Sequence, residues 1–400
     1  MGKIKEVTAC RLCDSPDLIE VWDLGEQWVV DFLGESEEGF KAPLIVMRCW
    51  GCGLAQLKHT VDRDLMYREY FYRSGISETM RAALKETVEG ALARLGDDPL
   101  TACDIGANDG TLLGFLPAGC KCIAFEPAKN IFPESGDFVI RDYFSADAYP
   151  YDPADLADLV FSVAVFYDVD TPRLFITDVA DVLHHDGIWI CQQNFLGPIM
   201  RSYAFDFLSH EHVVLWDLPT FVKAVAEACL EVFDVEELPI NGGTYRVYVG
   251  HRGRRPITPR VAEALARDGE YTSDEAWKSF KERVERNGEG LRGLLRDIRT
   301  TGKVVAVLGA STRGNSLLQV YGLGVADLPY ASDRDPNKWG RRMIGTNIPI
   351  VSEEEARHRK PDYYLVLPYS YIAQIKARER DFLSRGGRFI LPLPKVQVLP

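Results

Sequence analysis

The chain of 400 residues is long enough for two or three domains, and a hydrophobic content of 46% allows a sizeable core. A formal net charge of −13 repels phosphate backbones and argues against nucleic acid as the main partner. The basic runs Arg252–Arg255 and Arg341–Arg342 read as solvated surface. Without an apolar signal region at Met1, or any run of about 18 apolar residues, the sequence predicts a cytoplasmic protein with no membrane span.

Residues 1–75 hold two knuckles, Cys10-x2-Cys13 and Cys49-x2-Cys52, among short strand-like runs with no long helical period. So short a segment buries little core without a staple. Paired knuckles present four thiolates at the separation tetrahedral zinc requires, and four thiolates leave no open position for water. The expectation is a β module closed by structural Zn2+ on Cys10, Cys13, Cys49 and Cys52, against the bland alternative of four unrelated cysteines. The other five, Cys103, Cys120, Cys122, Cys191 and Cys229, read mostly as reduced core fillers.

Residues 76–255 begin with a helix over about 76–95, starting near Ser77 or Glu78. Strands are predicted at Thr101–Ile105, Cys122–Glu126, Phe138–Arg141, Leu159–Val163 and Gly187–Gln192, with helices from Leu112 and over Thr171–Leu183. This alternation implies a parallel, doubly wound sheet. Asn241-Gly-Gly between Leu230–Leu238 and Thr244–Val249 predicts a terminal antiparallel hairpin. Residues 256–400 open with a charged helical stretch to about 300, then a second, smaller alternation from Lys303 through Tyr330–Ser332, Tyr363–Leu367 and Arg388–Leu391.

Three motifs carry chemistry. In the first, a strand ends at Asp104, and Gly106 and Gly110 let a ligand approach the backbone. Glu126, twenty residues beyond Gly106 at the end of the next strand, suits two ribose hydroxyls. The run Asp104-Ile-Gly-Ala-Asn108-Asp109-Gly110 departs from the dinucleotide fingerprint and resembles the first motif of S-adenosylmethionine methyltransferases, with Pro127 following Glu126. A nicotinamide cofactor, or a turn without ligand, is the alternative. In the second, Ser209-His210-Glu211-His212 follows the fifth strand, where such sheets place their chemistry; histidine is the natural general base, and a neighbouring carboxylate can orient it. Surface histidines, or His210 and His212 as metal ligands, are the alternatives. In the third, Gly309-Ala-Ser311-Thr312-Arg313-Gly-Asn315 after a strand reads as a phosphate-facing turn, a structural remnant or a second cofactor site. The last would make the enzyme a bifunctional methyltransferase and ketoreductase.

On these motifs, together with Cys52-Gly-Leu-Ala-Gln56, Tyr67-Arg-Glu-Tyr-Phe-Tyr-Arg-Ser74 and Leu238-Pro-Ile-Asn-Gly-Gly-Thr-Tyr-Arg246, the whole chain resembles the zinc-containing, S-adenosylmethionine-dependent C-methyltransferases of nucleotide-linked deoxyketosugars. The resemblance implies an α/β protein of three domains: a zinc-binding β module (1–75), a class I methyltransferase Rossmann-like core (76–255), and a helical linker with a second Rossmann-like domain for the sugar nucleotide (256–400). It assigns the base to His212, with Glu211, His210 and a hydroxyl from Tyr70 or Tyr72 nearby. Ser209, Asn241, Tyr245, Ser311, Thr312, Arg313 and Asn315 would meet the dTDP- or GDP-linked substrate. The chain departs from the family at Ser209 (usually Tyr), at Val165-Phe-Tyr-Asp-Val-Asp170 (usually of Asn-Val-Leu-Ala-His-Val type) and at Asn241 (usually His), all near the expected sugar. An O- or N-methyltransferase, an RNA-modifying enzyme and a non-catalytic binding protein are the rival readings. A monomer or weak homo-oligomer is expected.

Overall fold

The computed structural model describes residues 3–29, 32–95, 100–150, 156–240 and 242–400. The first strands are β1 (Ile4–Glu6), β2 (Leu18–Trp28), β3 (Phe32–Leu33), β4 (Lys41–Cys49), β5 (Ala55–Leu57) and β6 (His59–Val61). In β4 the buried Ala42, Leu44 and Val46 alternate with the less buried Pro43 and Ile45, the period-2 signature of a half-buried strand. β4 pairs antiparallel with β2 and β5.

Next come β7 (Thr101–Ile105), β8 (Lys121–Phe125), β9 (Phe138–Ile140), β10 (Ala157–Val163), β11 (Leu183–Asn194), β12 (Val214–Leu215), β13 (Leu230–Leu238) and β14 (Thr244–His251). Seven of them form one sheet in the order β13-β14-β11-β10-β7-β8-β9. Strands β9, β8, β7, β10 and β11 run parallel, and β14 and β13 form the expected antiparallel hairpin, Leu238 opposite Thr244. Ala157, Leu159, Val160, Phe161 and Ser162 of β10 are all buried, as a strand covered on both faces requires. This is the expected Rossmann-like core, a parallel sheet that ends in an antiparallel hairpin. The helix expected from Leu112 is only a single 3-10 turn, Leu113–Phe115, because Pro117 disfavours helical backbone at Leu116 and has no N–H to continue a helix.

The last strands are β15 (Val305–Leu308), β16 (Ala331–Asp333), β17 (Arg342–Met343), β18 (Ile350–Ser352), β19 (Tyr363–Val366), β20 (Arg388–Leu391) and β21 (Gln397–Leu399). A second sheet runs β18-β16-β15-β19-β20-β21, parallel except for β21. The three-residue strands β18 and β21 are too short to carry a period and were not foreseen. The charged stretch is a helix over Pro259–Asp268 and one over Asp274–Thr300. The latter buries Trp277, Phe280, Val284, Gly288, Leu291, Leu295 and Ile298, an apolar stripe at helical spacing.

Two short pairings link segments distant in the chain. β12 adds to the zinc-module sheet beside β5, Val214 opposite Gln56, and β3 pairs antiparallel with β17, Phe32 opposite Met343. One continuous buried cluster accordingly includes Trp22, Phe32, Phe205, Phe280 and Met343. Among the described residues no helix is long and apolar enough to cross a membrane.

Candidate functional site

A cavity of about 1750 Å³ opens at the carboxyl ends of β7, β8, β10 and β11, facing the loop after β15 and the segment Tyr67–Ser74. Carboxyl strand ends are where such sheets hold ligands.

At one end, Gly106 (φ +74°) and Gly110 (φ +79°) turn the chain after β7. A Cβ at Gly106 would meet Val165 Cγ2 at 2.6 Å; one at Gly110 would meet the backbone nitrogen of Ser135 at 2.8 Å. The two carboxylate oxygens of Glu126 accept from the backbone N–H groups of Asn108 (2.8 Å) and Ala128 (2.7 Å), which fixes the group while leaving lone pairs for ribose hydroxyls. Burial raises the Glu126 pKa, and burial with the Glu126 charge holds Asp104 well above the usual carboxylate range. Asp104, Gly106, Asn108, Glu126 and Pro127 line the cavity. Gly110 and Asp109 do not. The Asp109 carboxylate instead accepts from Gly75 N–H (2.7 Å), and the Asn108 side chain accepts from Ser74 N–H (3.0 Å) and donates to the Tyr72 carbonyl (3.1 Å). The Asn-Asp pair of the motif therefore ties the tyrosine-rich segment down over the cofactor loop.

At the centre stands His212. Its Nδ1–H donates to the Phe207 carbonyl, with Ser209 Oγ 3.3 Å from the same nitrogen. This leaves the lone pair on Nε2. The ring stacks on Phe207 at 4.0 Å and meets the Tyr167 ring edge-on at 4.4 Å. Burial pushes the imidazolium down to about 3, so the ring is neutral at physiological pH. Tyr67 Oη donates to the Glu211 carbonyl at 3.0 Å; burial, then the Asp168 and Glu211 charges, raises the Tyr67 pKa, and the Glu211 charge with burial raises that of Tyr70. Tyr72 lines the same cavity nearer its mouth, 44% exposed and close to Tyr371.

Two assignments in this cluster are corrected. His210 turns away from the cavity, and its Nε2–H donates to the Ala42 carbonyl of β4 at 3.0 Å; it sits in the turn closed by the His212 N–H to Ser209 carbonyl bond (3.2 Å). Ser209 is buried with its Oγ against His212 Nδ1 and does not line the cavity.

The loop after β15 closes the cavity from the other side. Gly309 (φ +87°) approaches Pro368 so closely that a Cβ would lie 2.6 Å from its ring. Ser311 caps the following helix by accepting from Gly314 N–H (3.0 Å), and Asp333, at the end of β16, accepts from Ala310 N–H (2.8 Å). Ser311, Thr312 and Arg313 line the cavity. Arg313 is also engaged by Asp206, as is the Tyr369 hydroxyl. Asn315 is fully buried outside the cavity, and Tyr245 is fully buried with its hydroxyl donating to Asp268 (2.9 Å); neither reaches a substrate there. Asn241 lies outside the described residues.

Four residues that sequence reasoning left without a role also line the cavity: Tyr167, Asp168, Asp206 and Gln193. Gln193 is 2% exposed with neither amide atom hydrogen-bonded. Its place at the carboxyl end of β11 is the signal that could have found it.

The four knuckle sulfurs lie within 4.8 Å of one another, with Cys10–Cys52 and Cys13–Cys49 both at 3.5 Å. Tetrahedral zinc with Zn–S of about 2.3 Å requires sulfur separations of roughly 3.8 Å, so the residues fit the metal. Each knuckle turns on a residue of positive φ, Asp14 (+59°) and Gly53 (+91°). The contact between Cys10 and Cys52 lowers the Cys10 thiol to about 5 and raises that of Cys52 far above its ordinary value, as two sulfurs sharing one proton do.

Residues 239–394 match the family model “C-methyltransferase C-terminal domain”, and residues 10–67 match the model “Putative zinc binding domain”. The C-methyltransferase NovU of Streptomyces niveus is 28% identical over 410 residues, covering 99% of this chain and 98% of that protein. Among solved structures, the magnesium protoporphyrin IX methyltransferase of Synechocystis PCC 6803 covers 43% of this chain and 83% of its own (TM-score 0.34, 11% identity). The mitomycin 7-O-methyltransferase MmcR covers 42% and 54% (TM-score 0.33, 15% identity).

Proposed function

For this S-adenosylmethionine-dependent methyltransferase, which carries the zinc-binding and C-terminal domains of the C-methyltransferase family, we propose C-methylation next to the ketone of a nucleotide-linked deoxyketosugar. The observation that carries this reading is the ring of His212. Its proton is fixed on Nδ1 by the Phe207 carbonyl, and it borders a cavity that also holds the glycine-rich loop after β7 and the loop after β15. A neutral imidazole with a free Nε2 is a general base, and the ketone acidifies the proton beside it.

His212 takes that proton, and the Phe207 carbonyl steadies the imidazolium that forms. Hydroxyls of Tyr70 and Tyr72 face the same space. Asp104, Gly106, Asn108, Glu126 and Pro127 would hold the cofactor, which when bound supplies an electrophilic methyl group. The nucleotide would sit against Ser311 and Thr312 on the C-terminal side. Little covalent work falls to the protein, so positioning and exclusion of water supply most of the rate. The nine cysteines, none of them in a disulfide, suit a reducing cytoplasm.

The test is calorimetric titration with S-adenosylhomocysteine and a panel of dTDP-, GDP- and UDP-linked ketosugars, followed by solvent deuterium exchange at the carbon beside the ketone. A sugar nucleotide that binds more tightly with S-adenosylhomocysteine present, and exchanges that proton only when His212 is intact, supports the reading. Methyl transfer to oxygen or nitrogen without exchange overturns it.

A further inference from the structure

The loop after β10 contributes Val165, Tyr167, Asp168, Val169 and Asp170 to the cavity, and the function proposed above gives it no task. We propose that Asp168 is a further catalytic residue: as a neutral acid it donates a hydrogen bond to the substrate's ketone oxygen, on which negative charge gathers while His212 removes the adjacent proton. This inference rests on the C-methylation reading and assigns the group that completes it.

Asp168 ends the 3-10 turn Phe166–Asp168 and lines the cavity. Its Oδ1 is buried yet has no hydrogen-bond partner. An orphaned carboxyl oxygen is costly unless a ligand completes it. The preceding residue, Tyr167, lies edge-on to His212 at 4.4 Å, so the turn carries Asp168 into the neighbourhood of the base. The groups facing Asp168 come from every side of the cavity. Tyr67, on the helix Arg63–Tyr67, donates its proton to the Glu211 carbonyl and also stands within hydrogen-bonding reach of the Asp168 carboxyl, a contact that favours the carboxylate. Glu211 faces it from the loop before β12, and both act electrostatically on Tyr70 and Tyr167. Arg313, on the C-terminal side, acts on Tyr167 and His212, while the one charge acting on Asp168 among the described residues is that of Glu211. Burial and that like charge, outweighing the Tyr67 hydroxyl, raise its pKa well above the ordinary carboxyl value and so favour the protonated form.

A buried carboxylic acid held neutral is an effective donor to a developing enolate oxygen. The step balances within the site. The C–H bond breaks, its proton goes to His212 Nε2, its electron pair forms the carbon–carbon double bond, and the carbonyl π pair moves onto the oxygen that Asp168 holds.

The test has one arm without substrate and one with it. In the complex with S-adenosylhomocysteine at neutral pH, the infrared difference between wild type and Asp168→Asn should show the carbonyl band of a protonated carboxyl. A carboxylate band there overturns the proposal. With dTDP-4-keto-6-deoxyglucose, deuterium exchange beside the ketone should fall roughly 10²–10³-fold in Asp168→Ala but only about tenfold in Asp168→Asn, whose amide still donates. The alkaline limb of the wild-type profile should flatten in Asp168→Asn. Equal losses in both variants, with S-adenosylhomocysteine affinity unchanged, overturn the proposal. If wild type and His212→Gln are alike silent on every ketosugar, the sugar reading fails, while a protonated-carboxyl band still upholds the acid form of Asp168.

Discussion

Arg313 and the buried Asp206 form a bidentate pair, Nε to Oδ2 at 3.1 Å and Nη2 to Oδ1 at 2.9 Å, which joins the loop after β15 to the turn before Ser209. The next residue, Phe207, supplies the carbonyl that holds the proton on His212 Nδ1. The C-terminal sheet thus helps set the tautomer of the proposed base. Arg313→Ala leaves a buried carboxylate uncompensated and should cost about 3 kcal/mol of stability. Arg313→Lys keeps the charge but loses the planar fork, so it should recover stability only in part. Chemical denaturation of both variants, and of the Asp206→Asn double mutant, checks the coupling; additive losses would contradict it.

His212→Gln should lower turnover by roughly 10²–10⁴ while binding S-adenosylhomocysteine as the parent does. His210→Gln, which touches Ala42 and not the cavity, should lower stability far more than turnover. Single-turnover kinetics beside thermal melts separates the two. Near-parental turnover in His212→Gln would remove it from the chemistry.

Acid should weaken the fold through both histidines. Burial pushes His210 down to about 4 and His212 to about 3, against an ordinary 6.5. The unfolded chain therefore binds more protons, and stability falls as pH drops from about 6.5 toward 4, by about 1.4 kcal/mol per pH unit for each histidine. Raised carboxyls such as Asp104 act in the opposite sense. The comparison to make is denaturant unfolding of wild type against His210→Gln across that window, where the variant's curve should be flatter.

Removing zinc should disturb the catalytic loop at a distance. Cys49 ends β4 and Cys52 leads into β5, which pairs with β12 just after His212. Thr220 Oγ1 also reaches the Cys52 carbonyl at 3.5 Å. Chelation, or Cys49→Ser with Cys52→Ser, should release one zinc per chain, lower the melting temperature and reduce turnover before S-adenosylhomocysteine affinity changes. Metal analysis with titration calorimetry follows both.

The two glycines of the cofactor loop should differ. Gly106→Ala meets the movable Val165 side chain, whereas Gly110→Ala meets the backbone at Ser135. Both sit at positive φ, so both are strained, but Gly110→Ala should be the more destabilising by about 1 kcal/mol. Glu126→Ala should weaken S-adenosylhomocysteine at least tenfold, since it loses both ribose acceptors and the Asn108 and Ala128 anchors.

What the sequence made legible follows the scale of each signal. Buried β10 and the hairpin β13–β14 announce themselves through continuous apolar runs and turn residues. Cys10, Cys13, Cys49 and Cys52 do so through spacing, and Asp104 to Glu126 through a local motif. The outward turn of His210 depends on a contact with Ala42, 168 residues away. The burial of Tyr245 against Asp268 and the pairing of Arg313 with Asp206 likewise need partners that no window of sequence contains. Asp168 was visible as a departure, yet its meaning comes from Tyr67 and Glu211, which approach it only in the folded chain.

The pairing of Phe32 with Met343 has a consequence for how the chain is made. Strand β3 leaves the ribosome some 310 residues ahead of β17, and at roughly 5–20 residues per second the first-made module waits on the order of 15–60 s for its partner. Its β5 edge is open for part of that time, until Val214 and Leu215 arrive. An early module with two unpaired edges is exposed to sticking in that interval. Early capture of zinc by the nascent cysteines would hold it in shape until the rest of the molecule closes over it.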